Sequence, residues 1–176
     1  MAAHRDPSLF SGLVVFEPIV FPTDEPRDGA SPSPLVVGAR RRRSTFESYE
    51  AAIANYAAKP PLGSFTPEAL EAYVRFGFRP GEDGQVHLCC DPEVEARTFE
   101  TGGLHTTWDV LPEIHTPVLV VAGVVAEFQP SAISSRIAER LPRSTFVQRD
   151  DLDHFGPMTP PTEVADLVSA FVSDLS

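Results

Sequence analysis

The sequence has 176 residues and a hydrophobic fraction of 42%, which is ordinary for a soluble domain with its own core. Its formal net charge of −11 argues against broad binding to nucleic acid or to anionic membranes, because both need a basic surface. It contains no apolar run long enough to span a membrane, and its N-terminus has no signal-peptide pattern. These features predict a cytoplasmic protein, and no cofactor is expected.

The first apolar run, residues 12–22 (GLVVFEPIVFP), has no polar alternation, which is typical of a strand buried on both faces of a parallel sheet. Residues 24–34 are rich in Pro, Gly, Asp and Ser and predict a linker. The four arginines at 40–43 are either an anion-binding patch or the solvated face or end of a helix. The second interpretation is favoured, since charge runs are usually solvated.

Short helices are predicted for the middle of the chain. The first lies within residues 44–61, where a Ser or Thr cap is followed by Glu47 as in a capping box. The second, within 66–78, starts with a Thr-Pro pair, and the third, within 91–100, starts with an Asp-Pro pair. Residues 85–90 between them form a short extended segment.

Two adjacent cysteines, Cys89 and Cys90, end that extended segment. Neighbouring cysteines rarely bridge each other, and two thiols alone give neither a secreted disulfide framework nor a zinc-ligand pattern. We expect them to be small buried side chains rather than nucleophiles.

The last third of the chain continues the parallel pattern. Residues 116–125 (TPVLVVAGVV) repeat the unbroken apolar character of the first strand, and 144–150 form a shorter strand. Between them, 130–143 has the spacing of an amphipathic helix, which gives a crossover connection between parallel strands. Residues 161–175 predict a final amphipathic helix.

The order of these elements resembles the C-terminal half of an α/β-hydrolase-fold protein. The resemblance is carried by a strand with FEPIVFP, a helical block, the strand TPVLVVAG, a helix ending in AERLPRS, and DLDHFGPM before the last helix. It implies an α/β fold with parallel strands six to eight of that fold in residues 1–22 and 117–176. It also implies that residues 23–116 are an inserted helical lid.

The nucleophile of this family is not found in the sequence. The resemblance implies a G-x-S-x-G elbow after the fifth strand, and no G-x-S-x-G occurs among the 176 residues. We therefore expect an N-terminally truncated, esterase-like hydrolase for a small apolar ester or related carbonyl compound, inactive alone. The alternatives are a non-catalytic small-molecule binding or interaction module, and a fragment of a haloalkane dehalogenase or epoxide hydrolase with an Asp nucleophile. The unpaired sheet edge would favour self-association or a partner chain.

His154 in DLDHFGPM is the candidate base. A neutral imidazole can take a proton from a nucleophile and return it to a leaving group, and the resemblance implies this role for the histidine after the last strand. A metal site with the nearby aspartates is disfavoured because no further ligands have suitable spacing. Asp151 and Asp153 are expected to bond backbone N–H groups in a turn.

The acid that orients His154 is assigned to Glu17, with Glu127 as the second choice. Many members of the family carry an Asp in G-x-x-D-x-x-x-P after the strand equivalent to TPVLVVAG, but Ala126 stands at that position and Glu127 is one residue away. Some members place the acid at the end of strand six instead, where this sequence has Glu17. Because a lone buried carboxylate needs a partner, His154 would suit it, although Glu17 could also be a structural carboxylate.

Three residues are predicted to contact substrate. Pro18 and Phe155 flank the presumed acid and base, and Trp108 is an aromatic side chain of the predicted lid. The competing interpretation for Trp108 is a place in a hydrophobic core, because aromatic side chains are more often core residues than pocket walls.

Overall fold

A computed structural model describes residues 1–23, 33–126 and 129–175. Its α-helices are, in chain order, α1 (Ala2–Arg5), α2 (Pro34–Arg40), α3 (Tyr49–Ala57), α4 (Pro67–Gly77), α5 (Pro92–Thr101), α6 (Thr107–Val110), α7 (Ser131–Arg140) and α8 (Pro161–Asp174). Its strands are β1 (Leu13–Phe16), β2 (Thr45–Phe46), β3 (Phe78–Pro80), β4 (Val86–Leu88), β5 (Val118–Ala122) and β6 (Ser144–Gln148). Within these residues, no helix combines the length and the hydropathy needed to cross a membrane.

The chain divides into two compact units, one made of Met1–Arg27 and Gly103–Ser176 and the other of Asp28–Gly102. The insertion expected from the sequence ran to residue 116, which is past the end of the second unit. Residues 103–116 belong to the first unit because they supply buried side chains to its core: Trp108, Leu111 and Ile114.

A three-stranded parallel sheet forms the centre of the first unit. Its strand order is β1-β5-β6, with Leu13 opposite Val118 and Val118 opposite Ser144. Every residue of β5 is buried, as its unbroken apolar sequence predicts for a central strand. Helix α7 connects β5 to β6 as a crossover. The predicted α/β class with parallel strands is therefore confirmed.

Strand β1 lies at one edge of this sheet. It pairs with β5 on one side, and no other described strand pairs with it. All of its residues are only partly buried, although they are as apolar as those of β5. The strand is shorter than the predicted run 12–22, because the backbone changes direction at Glu17 and Pro18 has no N–H for the sheet.

The second unit contains a small antiparallel sheet with the strand order β2-β4-β3. Helices α3 and α4 pack with it around buried side chains that include Phe46, Ala52, Leu70, Val74, Phe78 and Val86. The sequence predicts only β4 of this sheet, as the segment 85–90. Strands of two or three residues are too short to show a period of two.

The helix caps of this unit test two sequence predictions. Thr66 caps α4 as predicted, since its Oγ1 accepts from the N–H of Ala69 at 3.2 Å. The capping box predicted with Glu47 is wrong. Ser48 caps α3 instead, and accepts from the N–H of Ala51 at 3.1 Å. Ser44 and Thr45 cannot cap the helix because α3 begins only at Tyr49 and Thr45 pairs in β2.

The arginine run of the second unit makes ion pairs with α5. Arg42 Nη1 lies 2.8 Å from Glu95 Oε1, and Arg40 Nε lies 2.8 Å from Glu93 Oε2. Helix α2 ends at Arg40, in agreement with the favoured interpretation of a helix end. These contacts join α2 to α5 and leave the two guanidinium groups engaged by carboxylates.

Cys89 and Cys90 are exposed free thiols, so the expectation that they are buried is wrong. Strand β4 ends at Leu88, and Asp91 caps α5. The two cysteines lie in the bend between these elements, where their side chains leave the core.

Candidate active site

Glu17 and His154 meet at the edge of the parallel sheet where its strands end. Glu17 directly follows β1, and His154 lies on the loop between β6 and α8. Parallel strands place their carboxyl ends at one edge, and the loops there form the usual binding crevice of an α/β sheet. Two side chains that are 137 positions apart in the sequence are thereby brought into contact.

The contact is a short hydrogen bond between His154 Nδ1 and Glu17 Oε2, at 2.6 Å. A carboxylate can only accept, so the proton of this bond belongs to Nδ1. The other ring nitrogen, Nε2, then carries the lone pair of the neutral imidazole. The contact therefore selects the tautomer in which His154 can act as a base.

The Glu17 carboxylate is deeply buried, and each of its oxygens has a donor. The side chain is 1% exposed, whereas that of His154 is 38% exposed. Glu17 Oε1 accepts from the backbone N–H of Gly123 at 3.0 Å, and Oε2 accepts from His154. A buried carboxylate without such partners would be strongly destabilising, so this site is arranged to keep a charge next to the imidazole.

The backbone of Glu17 is strained. Its φ is +44°, in the left-handed region that costs a residue with a side chain about 1–3 kcal/mol. Its N–H still donates to the carbonyl of Val121 at 2.8 Å, so the sheet pairing extends up to Glu17 itself. Strain of this kind persists where the surrounding contacts hold it, and it often accompanies function.

The loop that carries His154 is fixed by its aspartates. Asp153 Oδ1 accepts from the N–H of Phe155 at 2.8 Å, which is the turn hydrogen bond predicted for it. Asp151 instead pairs with Arg149, which also bonds Glu163 of α8 at 2.6 Å. The hydrogen bonds from Arg149 lower the pKa of Asp151 to about 2. Among the described residues, no group of three or more potential ligands could hold a metal ion.

Gly123 allows the loop after β5 to approach the loop of His154 closely. A Cβ at this position would lie 2.6 Å from the carbonyl oxygen of Leu152 and 2.9 Å from that of Asp153. The next residue, Val124, donates its N–H to the same Leu152 oxygen at 2.7 Å. Absence of a side chain at Gly123 is therefore required for the loop after β5 to meet the loop of His154.

The comparisons with known proteins bear on this arrangement. Neither the scan of protein-family models nor the search of curated proteins found a match. Among solved structures, the chain is similar to E-2-(acetamidomethylene)succinate hydrolase, with 19% identity and a TM-score of 0.71, over 98% of this chain and 61% of that one. It is also similar to a peroxisomal alpha-beta-hydrolase from Saccharomyces cerevisiae, with 13% identity and a TM-score of 0.72, over 98% and 49%.

A thermophilic esterase from Thermogutta terrifontis is similar at 22% identity with a TM-score of 0.56, over 94% of this chain and 56% of the esterase. The chain has part of the α/β-hydrolase fold. It spans 49% to 61% of the length of these three structures, about half to three fifths. The resemblance inferred from the sequence is thus confirmed at the level of the fold.

In this hydrolase fold, the two candidate acids are placed differently. Glu17 contacts His154 directly, whereas Glu127 lies outside the described residues. Pro18 follows the acid and is half-buried. The Phe155 ring lies edge-on to the imidazole, with 5.1 Å between ring centroids. Pro18 and Phe155 are therefore beside the contact between Glu17 and His154.

Trp108 is buried in the core of the first unit and is 7% exposed. The guanidinium of Arg140 lies 4.7 Å from its ring centroid, and Arg140 Nε donates to its carbonyl oxygen at 3.3 Å. Packing accounts for this side chain, which agrees with the competing interpretation of a core aromatic.

The backbone N–H of Gly123 is the part of the site that sequence reasoning missed. In the sequence, Gly123 stands at the first position of the G-x-x-D-x-x-x-P pattern, in which Ala126 replaces the Asp. A glycine directly after a buried strand is a weak signal of close backbone approach. Its contribution is a main-chain hydrogen bond to Glu17 Oε1.

Proposed function

We propose that Glu17 and His154 are the acid and the base of an esterase-like active site. The proposed substrate is a small, rather apolar ester or related carbonyl compound. The observation that carries the proposal is the 2.6 Å contact between a buried carboxylate and a partly exposed imidazole. A base oriented by a third group in this way is what activates a hydroxyl nucleophile.

The proposed proton transfers follow from the tautomer. With its Nδ1–H bonded to Glu17, His154 accepts the proton of the attacking hydroxyl on Nε2. It then returns that proton to the leaving oxygen when the substrate bond breaks. The imidazolium that exists between these steps is stabilised by the neighbouring carboxylate.

The nucleophile and the oxyanion hole are, in this proposal, supplied by polypeptide outside residues 1–176. The sequence contains no G-x-S-x-G, and β1 has one edge without a described partner strand. A further strand beside β1 would end at the same edge as Glu17 and His154. A partner chain or a second copy would pair along the open side of β1, because an unpaired strand invites pairing.

The surroundings of the pair support an apolar substrate. Exposed apolar side chains follow the ends of the strands and the base: Ile19, Val124, Val125 and Met158. Pro18 and Phe155 are the proposed walls next to the reacting groups. The second unit takes the role of the lid in this proposal, and the proposed location is the cytoplasm.

The position of the acid supports a second candidate function. Glu17 follows β1, which corresponds to strand six in the resemblance, and haloalkane dehalogenase-like proteins place their acid there. In that branch an Asp nucleophile replaces the Ser, and His154 would activate the water that hydrolyses the covalent intermediate. The two candidates therefore differ in the missing nucleophile and share the acid and base.

The coding DNA upstream of Met1 tests the proposal. An in-frame G-x-S-x-G supports the esterase, and Asp in place of Ser supports the second candidate. The 176-residue chain alone should not hydrolyse a p-nitrophenyl ester through His154, since loss of the nucleophile costs several orders of magnitude in rate. An upstream stop codon without an elbow, or hydrolysis by the 176-residue chain that His154→Ala abolishes, would contradict the proposal.

A further inference from the structure

We propose that Gln148 is a positioning residue for the acid Glu17 and that it acts through the backbone of Gly123. This inference rests on the proposed function, because it takes Glu17 as the acid. Gln148 is the last residue of β6, and its side-chain amide donates to the carbonyl oxygen of Gly123. The N–H of Gly123 donates in turn to Glu17 Oε1 at 3.0 Å.

The loop after β5 needs such a restraint. The Gly123 N–H shares a planar peptide with the carbonyl of Ala122, which accepts from the N–H of Arg149 at 2.8 Å, whereas the Gly123 carbonyl that Gln148 bonds belongs to the next peptide. Glycine has the widest backbone freedom of any residue, so no side chain restrains the torsions that relate these two peptides. The two residues that follow it, Val124 and Val125, are 48% and 60% exposed, so their side chains add little packing. The bond from Gln148 in β6 to the Gly123 carbonyl therefore restrains the second peptide, and through the Gly123 Cα it restrains the donor that faces Glu17.

The contacts form a continuous path from Gln148 to the base. It runs from the amide of Gln148 to the backbone of Gly123, then to the two oxygens of Glu17 and to His154 Nδ1. With the Gly123 donor misplaced, Glu17 Oε1 loses its partner and the carboxylate gains freedom to turn away from the imidazole. Gln148 thus controls the geometry of the acid without touching the reacting atoms.

Gln148 has a second, weaker contact that offers a control. Its Nε2 lies 3.4 Å from Asp150 Oδ1, a distance at the upper limit of a hydrogen bond. If this contact were the important one, Asp150→Ala would have the same effect as removal of the Gln148 amide. The inference instead assigns the effect to the bond with Gly123.

The test observes the His154 Nδ1 proton by NMR in the 176-residue chain. Gln148→Met keeps the length of the side chain and removes the amide donor. We expect the rate at which the Nδ1 proton exchanges with water to rise about three- to tenfold in Gln148→Met. This factor corresponds to the loss of one neutral hydrogen bond. Gln148→Asn keeps an amide but is one methylene shorter, and should give a smaller rise. Asp150→Ala should leave the exchange rate as in the wild type.

An exchange rate that changes less than twofold in both Gln148 variants would overturn the inference, as would a rise in Asp150→Ala equal to that in Gln148→Met. Circular dichroism identifies a variant that has lost its fold. If one Gln148 variant is unfolded, the exchange rate of the other Gln148 variant tests the inference. The measurement needs neither substrate nor nucleophile. Failure of the esterase proposal in an activity assay is therefore distinguishable from failure of this inference.

Discussion

His154→Ala is expected to lower kcat for ester hydrolysis by about 10²- to 10⁴-fold in the proposed longer polypeptide with a nucleophile. Without the imidazole, no group takes the proton from the attacking hydroxyl. His115→Ala is the matched control, because His115 is an exposed histidine of the same unit. The measurement is the steady-state kcat with a p-nitrophenyl ester for wild type and both variants.

Glu17→Gln should lower kcat in the same direction for a different reason. A glutamine amide can donate to Nδ1, which favours the tautomer that carries its proton on Nε2 and cannot act as a base. Glu139→Gln makes the same chemical change at an exposed position of α7 and should leave kcat unaltered. Wild-type kcat in either His154→Ala or Glu17→Gln would remove the acid–base assignment.

Gly123→Ala should lower the free energy of unfolding of the first unit by about 2–3 kcal/mol, toward the upper part of the range for an overfilled site. The added Cβ would lie 2.6 Å from a backbone oxygen of Leu152, and backbone cannot move aside as a flexible side chain does. The loop after β5 and the loop of His154 must therefore separate. Urea unfolding followed by the fluorescence of Trp108, the one tryptophan of the sequence, reports on this unit.

The control for this substitution is Gly38→Ala. Gly38 lies in helix α2. Apart from its two chain neighbours and the backbone of its own helix, a Cβ there would have no heavy atom within 4 Å. Alanine in a helix is favoured over glycine by about 0.5–1 kcal/mol, so Gly38→Ala should stabilise the second unit. Equal stability of Gly123→Ala and wild type would show that the two loops do not approach as described.

The sequence predicts correctly those helices and strands whose residue pattern reflects which side chains are buried. Strand β5 is buried on both faces, as its unbroken apolar run predicts. The amphipathic pattern of α7 between β5 and β6 indicated a crossover connection. The small sheet of β2, β3 and β4 was not predictable as a sheet, since contacts distant in sequence determine its pairing.

The candidate site was predictable in its side chains and not in its backbone. His154 was found from its place in DLDHFGPM, and Glu17 from its place at the end of an apolar run. The positive φ of Glu17 and the N–H that Gly123 donates depend on how separate loops meet. No local sequence pattern predicts a contact between two loops that are distant in the sequence, because each loop is compatible with many conformations.

The tautomer of His154 is the most direct test of Glu17 as the acid and His154 as the base. Long-range ¹H–¹⁵N correlation spectra of the 176-residue chain, at a pH where the ring is neutral, distinguish the two tautomers. We expect Nδ1 of the wild-type ring to carry the proton and Nε2 to be unprotonated. In Glu17→Gln, the population should shift toward the tautomer protonated on Nε2. A wild-type ring protonated on Nε2 would contradict the assignment of Glu17 as the acid and His154 as the base.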